Sequence, residues 1–191
     1  MEAGASILSS TLCSQHEPDL NHWVLRPLPL PDDISGKLWL SSMPGRFEPL
    51  EDFLGWCRTS VVNEVVCLVG NTELLLRSPS YAKALQANQL PFSVTQFPVP
   101  DRGVPKDATG LVELAREIAE RLRSGGRIVV HCAAGVGRTG LFSTIVLMAT
   151  GMPLQLALLS VKEARSGPET EEQRALLEGV TIQLTTQGGI R

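Results

Sequence analysis

The sequence of 191 residues has few of the residues on which metal sites and disulfide scaffolds depend. It contains three histidines, and its four cysteines, Cys13, Cys57, Cys67 and Cys132, are scattered without a CxxC pair. Because no His or Cys spacing matches a zinc site, we expect no metal. Scattered cysteines also favour free thiols in a reducing compartment, so we expect a cytoplasmic protein.

Long apolar runs and a strong excess of one charge are also missing. No apolar run reaches the ~18 residues of a membrane span, and the start, MEAGASILSS, lacks the basic region of a secretory signal. The net charge of −3 makes a broad nucleic-acid or acidic-membrane surface unexpected. With 43% hydrophobic residues, the chain suits one globular domain. We expect that domain over residues 21–182, with a loosely ordered segment before it (1–20) and a flexible tail after it (183–191).

Residues 128–140 (IVVHCAAGVGRTG) join a short apolar strand to an apolar helix through a loop of small residues. The glycines Gly135, Gly137 and Gly140 allow the loop to turn successive backbone N–H groups toward one point. The N-terminus of the following helix favours negative charge at the same place. This stretch therefore predicts an anion-binding cradle.

The cradle contains a nucleophile and a phosphate-binding side chain. Cys132 lies where the N–H groups, the helix end and Arg138 together favour the reactive thiolate form of a cysteine. Arg138 has a planar fork of N–H groups that matches two phosphate oxygens. Thr139 is placed to donate its hydroxyl to the sulfur, and His131 to fix the loop by hydrogen bonding. The pattern predicts cysteine-dependent chemistry on a phosphate.

The motif His131-Cys132-x5-Arg138-Thr139 resembles the signature loop of the cysteine-dependent protein tyrosine phosphatases. Residues 38–45 (LWLSSMPG), 98–105 (PVPDRGVP) and 166–173 (SGPETEEQ) resemble segments of the kinase-associated, dual-specificity branch. The resemblance covers roughly residues 36–180. It implies a single α/β domain with a central, mostly parallel sheet of about five strands and helices on both faces.

The resemblance also implies an activity, the hydrolysis of a phosphorylated protein or peptide without metal or organic cofactor. Cys132 attacks phosphorus and forms a phosphocysteine, Arg138 binds the phosphate and Asp101 serves as general acid and then base. The loop residues expected around the phosphate are Ala133, Ala134, Gly135, Val136, Gly137 and Arg138.

Asp101 lies on a second stretch that contains a candidate catalytic residue, residues 98–105. Prolines stiffen this loop and Gly103 supplies a hinge, so the loop is able to close over a ligand. Asp101 precedes Cys132 by 31 positions, a spacing similar to that of short dual-specificity members. The alternative is a turn-forming aspartate. Asp107, by contrast, opens an amphipathic helix and is predicted to be its N-cap.

Gln173 has two interpretations. In resembling enzymes, a glutamine in this segment positions the water that hydrolyses the phosphocysteine. Thr170-x-x-Gln173 is also a capping box, in which the same side chain bonds back to the helix start.

Cys67 lies in an apolar strand pattern. It is interpreted as a small core residue, with a redox disulfide to oxidised Cys132 as the alternative.

The same glycines allow two other interpretations of the cradle. Residues 135–140 spell the dinucleotide fingerprint G-x-G-x-x-G, but too little chain follows for the βαβ array that this fingerprint opens. A nucleotide P-loop is disfavoured because Arg138 replaces its lysine. A phosphate-binding module without turnover remains an alternative, since binding needs only the cradle and Arg138.

Substrate choice is less defined. The small, uncharged Ala133, Ala134 and Val136 stand where inositide phosphatases of the superfamily usually have lysines, which favours phosphotyrosine, and also phosphoserine or phosphothreonine, in a protein. A non-protein phosphate, such as an inositol phosphate or an RNA 5′-phosphate, is the alternative. Arg102 departs from the pattern, because glycine usually follows the acid.

Apolar periodicity predicts the remaining elements. Strands are expected near residues 23–25, 37–41, 61–69, 92–97 and 127–131, with an extended loop where Pro27, Pro29 and Pro31 follow the first. Helices are expected over 47–57, over 72–88 with a break near Pro79, from 107 to about 122, after the cradle to about 150, and from 153 to about 164.

Overall fold

The computed structural model describes residues 25–187 and contains one five-stranded sheet in the order β1-β2-β5-β3-β4. β1 is antiparallel to β2, and the other pairs are parallel. The expected N-terminal segment 1–20 and residues 188–191 lie outside the described part. The strands are β1 (Arg26–Leu28), β2 (Lys37–Ser41), β3 (Glu64–Cys67), β4 (Ser93–Gln96) and β5 (Arg127–His131).

Seven helices accompany the sheet within the described residues. None of these helices is long and apolar enough to cross a membrane. The last helix continues through the domain boundary expected at residue 182. The helices are α1 (Leu50–Thr59), α2 (Asn71–Arg77), α3 (Pro79–Gln86), α4 (Ala108–Arg123), α5 (Gly137–Ala149), α6 (Leu154–Glu163) and α7 (Glu171–Gln187).

Strand residues alternate between two apolar layers, one on each face of the sheet. Leu40 and Val130 belong to the larger core, which includes buried residues of α4 to α7, whereas Trp39 and Val129 belong to a smaller core. Phe53 of α1 covers that second face. Side chains of a strand point alternately to opposite faces, so strands buried on both sides are almost continuously apolar. The predicted α/β domain with helices on both faces is confirmed.

The first strand differs from the prediction. Of the residues expected to form it, 23 and 24 lie outside the described part and Leu25 precedes β1. Pro27, expected in a loop, pairs with Trp39 inside β1. Proline lacks an N–H donor but fits an edge strand, and β1 lies at the edge of this sheet.

The position of the cradle follows from the burial of β5 and α5. β5 is central in the sheet, and residues 137–148 of α5 are all buried. No side chain caps the start of α5, and no acidic residue lies in its first turn. The N–H groups at this helix end are therefore not taken up by a capping side chain, and the surrounding core holds them in place.

Candidate active site

The loop after β5 forms the predicted cradle around Cys132, whose side chain is only 2% exposed. The backbone N–H of Gly135 donates to Cys132 Sγ at 3.2 Å. Gly135 has a φ of +75°, and a Cβ here would overlap the carbonyl of Ser41. Only glycine fits this conformation in this space. The loop thus turns at least one N–H toward the sulfur.

Arg138 lies in the first turn of α5, is 3% exposed and has three partners. Its Nη1 and Nη2 donate to the two carboxylate oxygens of Glu73 at 2.8 and 3.0 Å. Nη1 also donates to the Val99 carbonyl at 3.3 Å, and Nη2 pairs with Asp101 Oδ1 at 2.9 Å. This network brings together two predicted residues, Arg138 and Asp101, and one that was not predicted, Glu73.

The charges in this network stabilise one another. The hydrogen bond from Arg138, more than any other contact, lowers the pKa of Glu73. Burial lowers the pKa of Arg138, but Glu73, Cys132 and Asp101 together raise it above its usual value. Arg138 is therefore a fixed, fully charged fork at the start of α5.

His131 is fully buried, and both of its ring nitrogens contact hydrogen-bonding partners next to the loop. Its Nδ1 lies 3.0 Å from the Cys132 carbonyl, and its Nε2 lies 3.3 Å from the Tyr81 hydroxyl. A carbonyl only accepts, so Nδ1 carries the proton, and Nε2 accepts from Tyr81. Burial lowers the pKa of His131 to about 4, which keeps the ring neutral. The loop-fixing contact expected of His131 is present.

The neutral state of His131 predicts a loss of stability in mild acid. Between about pH 6.5 and pH 4 the unfolded chain binds a proton at this histidine and the folded chain does not. The free energy of unfolding should therefore fall by about 3 kcal/mol as the pH drops through this window. Urea unfolding of the natural protein and of His131→Asn at pH 7, 5.5 and 4.5 measures the difference.

Comparing the natural protein with His131→Asn removes the contribution of the other titrating groups to the pH dependence of stability, because both proteins contain them. Burial raises the pKa of Glu48 to about 6, and this group acts in the opposite direction in both proteins. Parallel stability curves for the natural protein and His131→Asn would contradict the neutral, buried state of His131.

The acid loop, residues 98–105, places Asp101 at the mouth of the site, with its side chain 61% exposed. Arg102 has a φ of +55°, in the left-handed region that favours glycine. This conformation explains why glycine is usual at a position where this chain has arginine. The Gly103 N–H donates a hydrogen bond to the Pro100 carbonyl at 3.1 Å, which closes the turn.

Gln173 is fully buried under the acid loop. Its backbone N–H donates to Thr170 Oγ1 at 3.2 Å, and its Oε1 accepts from the N–H of Glu169 at 2.8 Å, so it caps α7. Its Nε2 also donates to the Gly103 carbonyl at 2.9 Å. Gln173 therefore does more than cap a helix, because it ties α7 to the loop that carries Asp101.

One predicted contact, that of Thr139, is not formed, whereas Cys67 lies in the core as interpreted. The Thr139 hydroxyl is fully buried but has no hydrogen-bond partner among the described residues, so the expected bond to Cys132 is not formed. Cys67 is a free, fully buried thiol within 3.6 Å of the Val69 carbonyl, as is typical of a core residue. Burial raises the pKa of Cys57 and of Cys67 to about 12.

The other residues expected around the phosphate lie in the loop after β5 or in the first turn of α5. Ala133 is buried, Ala134 is exposed and Val136 is partly exposed. Gly137 is the first residue of α5, and Gly140 packs against the backbone of Gly167 so closely that a Cβ would overlap it.

A model of the protein-tyrosine phosphatase family matches residues 69–165, just over half of the chain. The match includes the acid loop, the cradle and α5. The chain belongs to the protein-tyrosine phosphatase family. The resemblance inferred from the signature loop is thereby confirmed.

One curated relative and two solved structures illustrate the similarity of this chain to known phosphatases. Protein-tyrosine-phosphatase PTP1 of Arabidopsis thaliana is 38% identical over 78 residues, which are 39% of this chain and 23% of that protein. This chain thus spans about a quarter of the length of that relative. The solved structure of kinase associated phosphatase superposes with a TM-score of 0.73 at 18% identity, covering 87% of this chain and 98% of the other. Tk-PTP in its active form gives a TM-score of 0.65 at 28% identity, covering 83% and 97%. Both solved structures have the same fold as this chain.

Proposed function

We propose that this protein-tyrosine phosphatase family member hydrolyses phosphotyrosine, and also phosphoserine and phosphothreonine, in proteins through a phosphocysteine intermediate. The observation that carries the proposal is the convergence of three groups. A backbone N–H of the cradle points at Cys132 Sγ, and Arg138, at the uncapped start of α5, holds Asp101. A nucleophile, an anion-binding fork and an acid within one cradle are what phosphoryl transfer to sulfur requires.

In the first step, the Cys132 thiolate attacks phosphorus and the bond to the leaving oxygen breaks. Asp101 gives that oxygen a proton, so the product leaves as an alcohol or phenol. In the second step, water attacks the phosphocysteine, Asp101 takes the proton of the water and the thiolate leaves. Gln173 orients this water. The Thr139 hydroxyl, which has no partner among the described residues, turns to donate to the sulfur as it leaves.

Phosphate binding requires an exchange of partners at Arg138. Glu73 and Val99 accept hydrogen bonds from the two Nη nitrogens of Arg138, and Asp101 forms an ion pair with Nη2. A phosphate held by Nε and Nη2 must therefore displace the exposed Asp101 from Nη2. The released Asp101 carboxyl is then available as the acid that protonates the leaving oxygen. Substrate binding thus prepares the acid.

A groove beside the acid loop offers room for the chain that flanks a phosphorylated residue. It has a volume of about 600 Å³ and is lined by residues 70–73, 96–101 and 105–107. Both Glu73 and Asp101 contribute to its wall, so it adjoins the phosphate site. Its charged lining residues are three acids, Glu73, Asp101 and Asp107, and one lysine, Lys106, a balance that disfavours a polyanionic headgroup, and its prolines suit an extended peptide.

The acid role of Asp101 predicts an effect that depends on the leaving group. Asp101→Ala should slow the hydrolysis of a phosphopeptide by about 10²- to 10⁴-fold, because its leaving oxygen needs a proton. A substrate with a very good leaving group should lose far less. Steady-state kcat on both substrates measures the difference. Asp33→Ala is the matched control, since Asp33 is exposed in the turn between β1 and β2 and does not line the groove. Equal losses on both substrates in Asp101→Ala would contradict the role.

The test of the function itself is the hydrolysis of para-nitrophenyl phosphate under reducing conditions, with and without a chelator. The proposal predicts turnover that survives the chelator. A panel of phosphopeptides, inositides and triphosphate-ended RNA then identifies the substrate class. Binding of phosphate without turnover on any of these would favour the non-catalytic module instead. The proposal places the enzyme in the cytoplasm, because a nucleophilic thiol needs a reducing compartment.

A further inference from the structure

Arg26, on the edge strand β1, reaches the outer side of the cradle. This residue lies outside the signature loop and outside residues 69–165, over which the family model matches. Its Nη2 donates to the Gly135 carbonyl, and its Nη1 donates to the Arg165 carbonyl at 2.7 Å. One guanidinium thus ties the cradle to the loop that follows α6.

The bond to Gly135 determines which way a cradle peptide faces. A trans peptide is planar, so the carbonyl of one residue and the N–H of the next point in opposite directions. When Arg26 draws the Gly135 carbonyl outward, the N–H of Val136 must point inward. Ser166 Oγ lies near both carbonyls of the turn: it donates to the Val136 carbonyl at 2.7 Å and lies 3.2 Å from the Gly135 carbonyl. The bond to the Val136 carbonyl turns the N–H of Gly137 inward as well.

Arg26 also adds charge. Gly135 lies between the two groups, since its carbonyl accepts from Arg26 and its N–H donates to Cys132 Sγ. Burial lowers the pKa of Arg26, and the charge interaction with Cys132 opposes this lowering. An arginine keeps its charge even when its pKa is lowered moderately. Arg138 approaches the site from the first turn of α5 and Arg26 from β1. The sulfur and any bound dianion therefore experience positive charge from both β1 and α5.

We propose that Arg26 is a positioning residue of the phosphate cradle, which orients the Gly135–Val136 peptide for anion binding and provides a second positive charge for the Cys132 thiolate. The proposal rests on the phosphatase function inferred above. It extends the working part of the site from the signature loop to an edge strand about a hundred residues away in sequence.

The test compares Arg26→Met, Arg26→Lys and the natural protein, with Arg58→Met, at an exposed position of α1, as the control. The first readout is the dissociation constant for tungstate, a tetrahedral dianion shaped like phosphate. The second is the rate at which iodoacetamide alkylates Cys132, resolved by peptide mass, at pH 6 and pH 9. Neither readout requires turnover.

Arg26→Met should bind tungstate about tenfold more weakly, because it loses both a correctly aimed N–H donor and a charge. Its alkylation at pH 6 should be about fivefold slower, with a smaller deficit at pH 9, where a thiol ionises without help. Arg26→Lys keeps the charge but cannot hold two carbonyls, so its alkylation should be near that of the natural protein and its tungstate binding should be intermediate. Arg58→Met should match the natural protein.

Tungstate affinity and alkylation of Arg26→Met within twofold of the natural protein would overturn the proposal. If Arg26→Met does not fold, Arg26→Lys decides alone, because unchanged tungstate affinity in that variant would show that the fork is not needed. Failure of the phosphatase function is distinguishable: the natural protein would then bind tungstate and be alkylated but would hydrolyse no substrate.

Discussion

Cys132→Ser is expected to lower kcat by at least about 10⁴-fold on every substrate, because a serine hydroxyl at this position is not ionised and no neighbouring base activates it. The fold and the cradle should remain, since serine is close to cysteine in size and the N–H of Gly135 keeps an acceptor. Removing the thiolate also removes a negative charge from the anion site. The affinity for tungstate should therefore be equal or higher.

The control for this variant is Cys67→Ser, which changes a buried core thiol outside the cradle. That variant should lose stability, since a hydroxyl replaces a thiol in the core, but it should keep its kcat per folded molecule. Residual turnover in Cys132→Ser above a hundredth of the natural rate would mean that another group is the nucleophile.

Arg138→Lys is expected to lower kcat/KM by about 10³-fold although the positive charge is retained. Lysine is a point charge and cannot present two parallel N–H bonds to a phosphate or to Glu73, which now accepts bonds at 2.8 and 3.0 Å from the arginine. Both kcat and tungstate affinity should fall, since the fork binds the ground state and the transition state. Steady-state kinetics and tungstate titration measure the two effects.

Arg58→Lys provides the matched control, the same substitution at an exposed site of α1. It should leave both quantities unchanged. A kcat/KM of Arg138→Lys within tenfold of the natural value would show that charge alone suffices and that the geometry of the fork is not used.

Local sequence patterns predicted the elements whose causes are themselves local. The strand at Lys37–Ser41 and the helix capped by Asp107 follow from alternation, periodicity and a capping side chain within a few residues. The cradle could be predicted for the same reason, because its glycines, nucleophile and arginine are contiguous.

The supporting residues could not be found in this way. Glu73 lies 65 positions from Arg138, and Arg26 lies 109 positions from Gly135, so no spacing in the sequence relates them. The sequence predicts helix over residues 72–88 with a break near Pro79, which agrees with α2 and α3, but the pattern does not indicate that a carboxylate of α2 faces Arg138. Such contacts result from the register of the sheet, in which the start of β1 and the ends of β5 and β3 lie at the same end of the strands.

The most direct measurement of the central claim is to trap the phosphorylated enzyme. The protein is mixed with a phosphopeptide, quenched in acid within milliseconds, digested and analysed by mass spectrometry. The proposed mechanism predicts the mass of one phosphoryl group on the peptide that contains Cys132, absent from Cys132→Ser and increased in Asp101→Ala with a good leaving group, because hydrolysis is then slowed. Phosphate release without any labelled Cys132 peptide, or with the label on another residue, would contradict it.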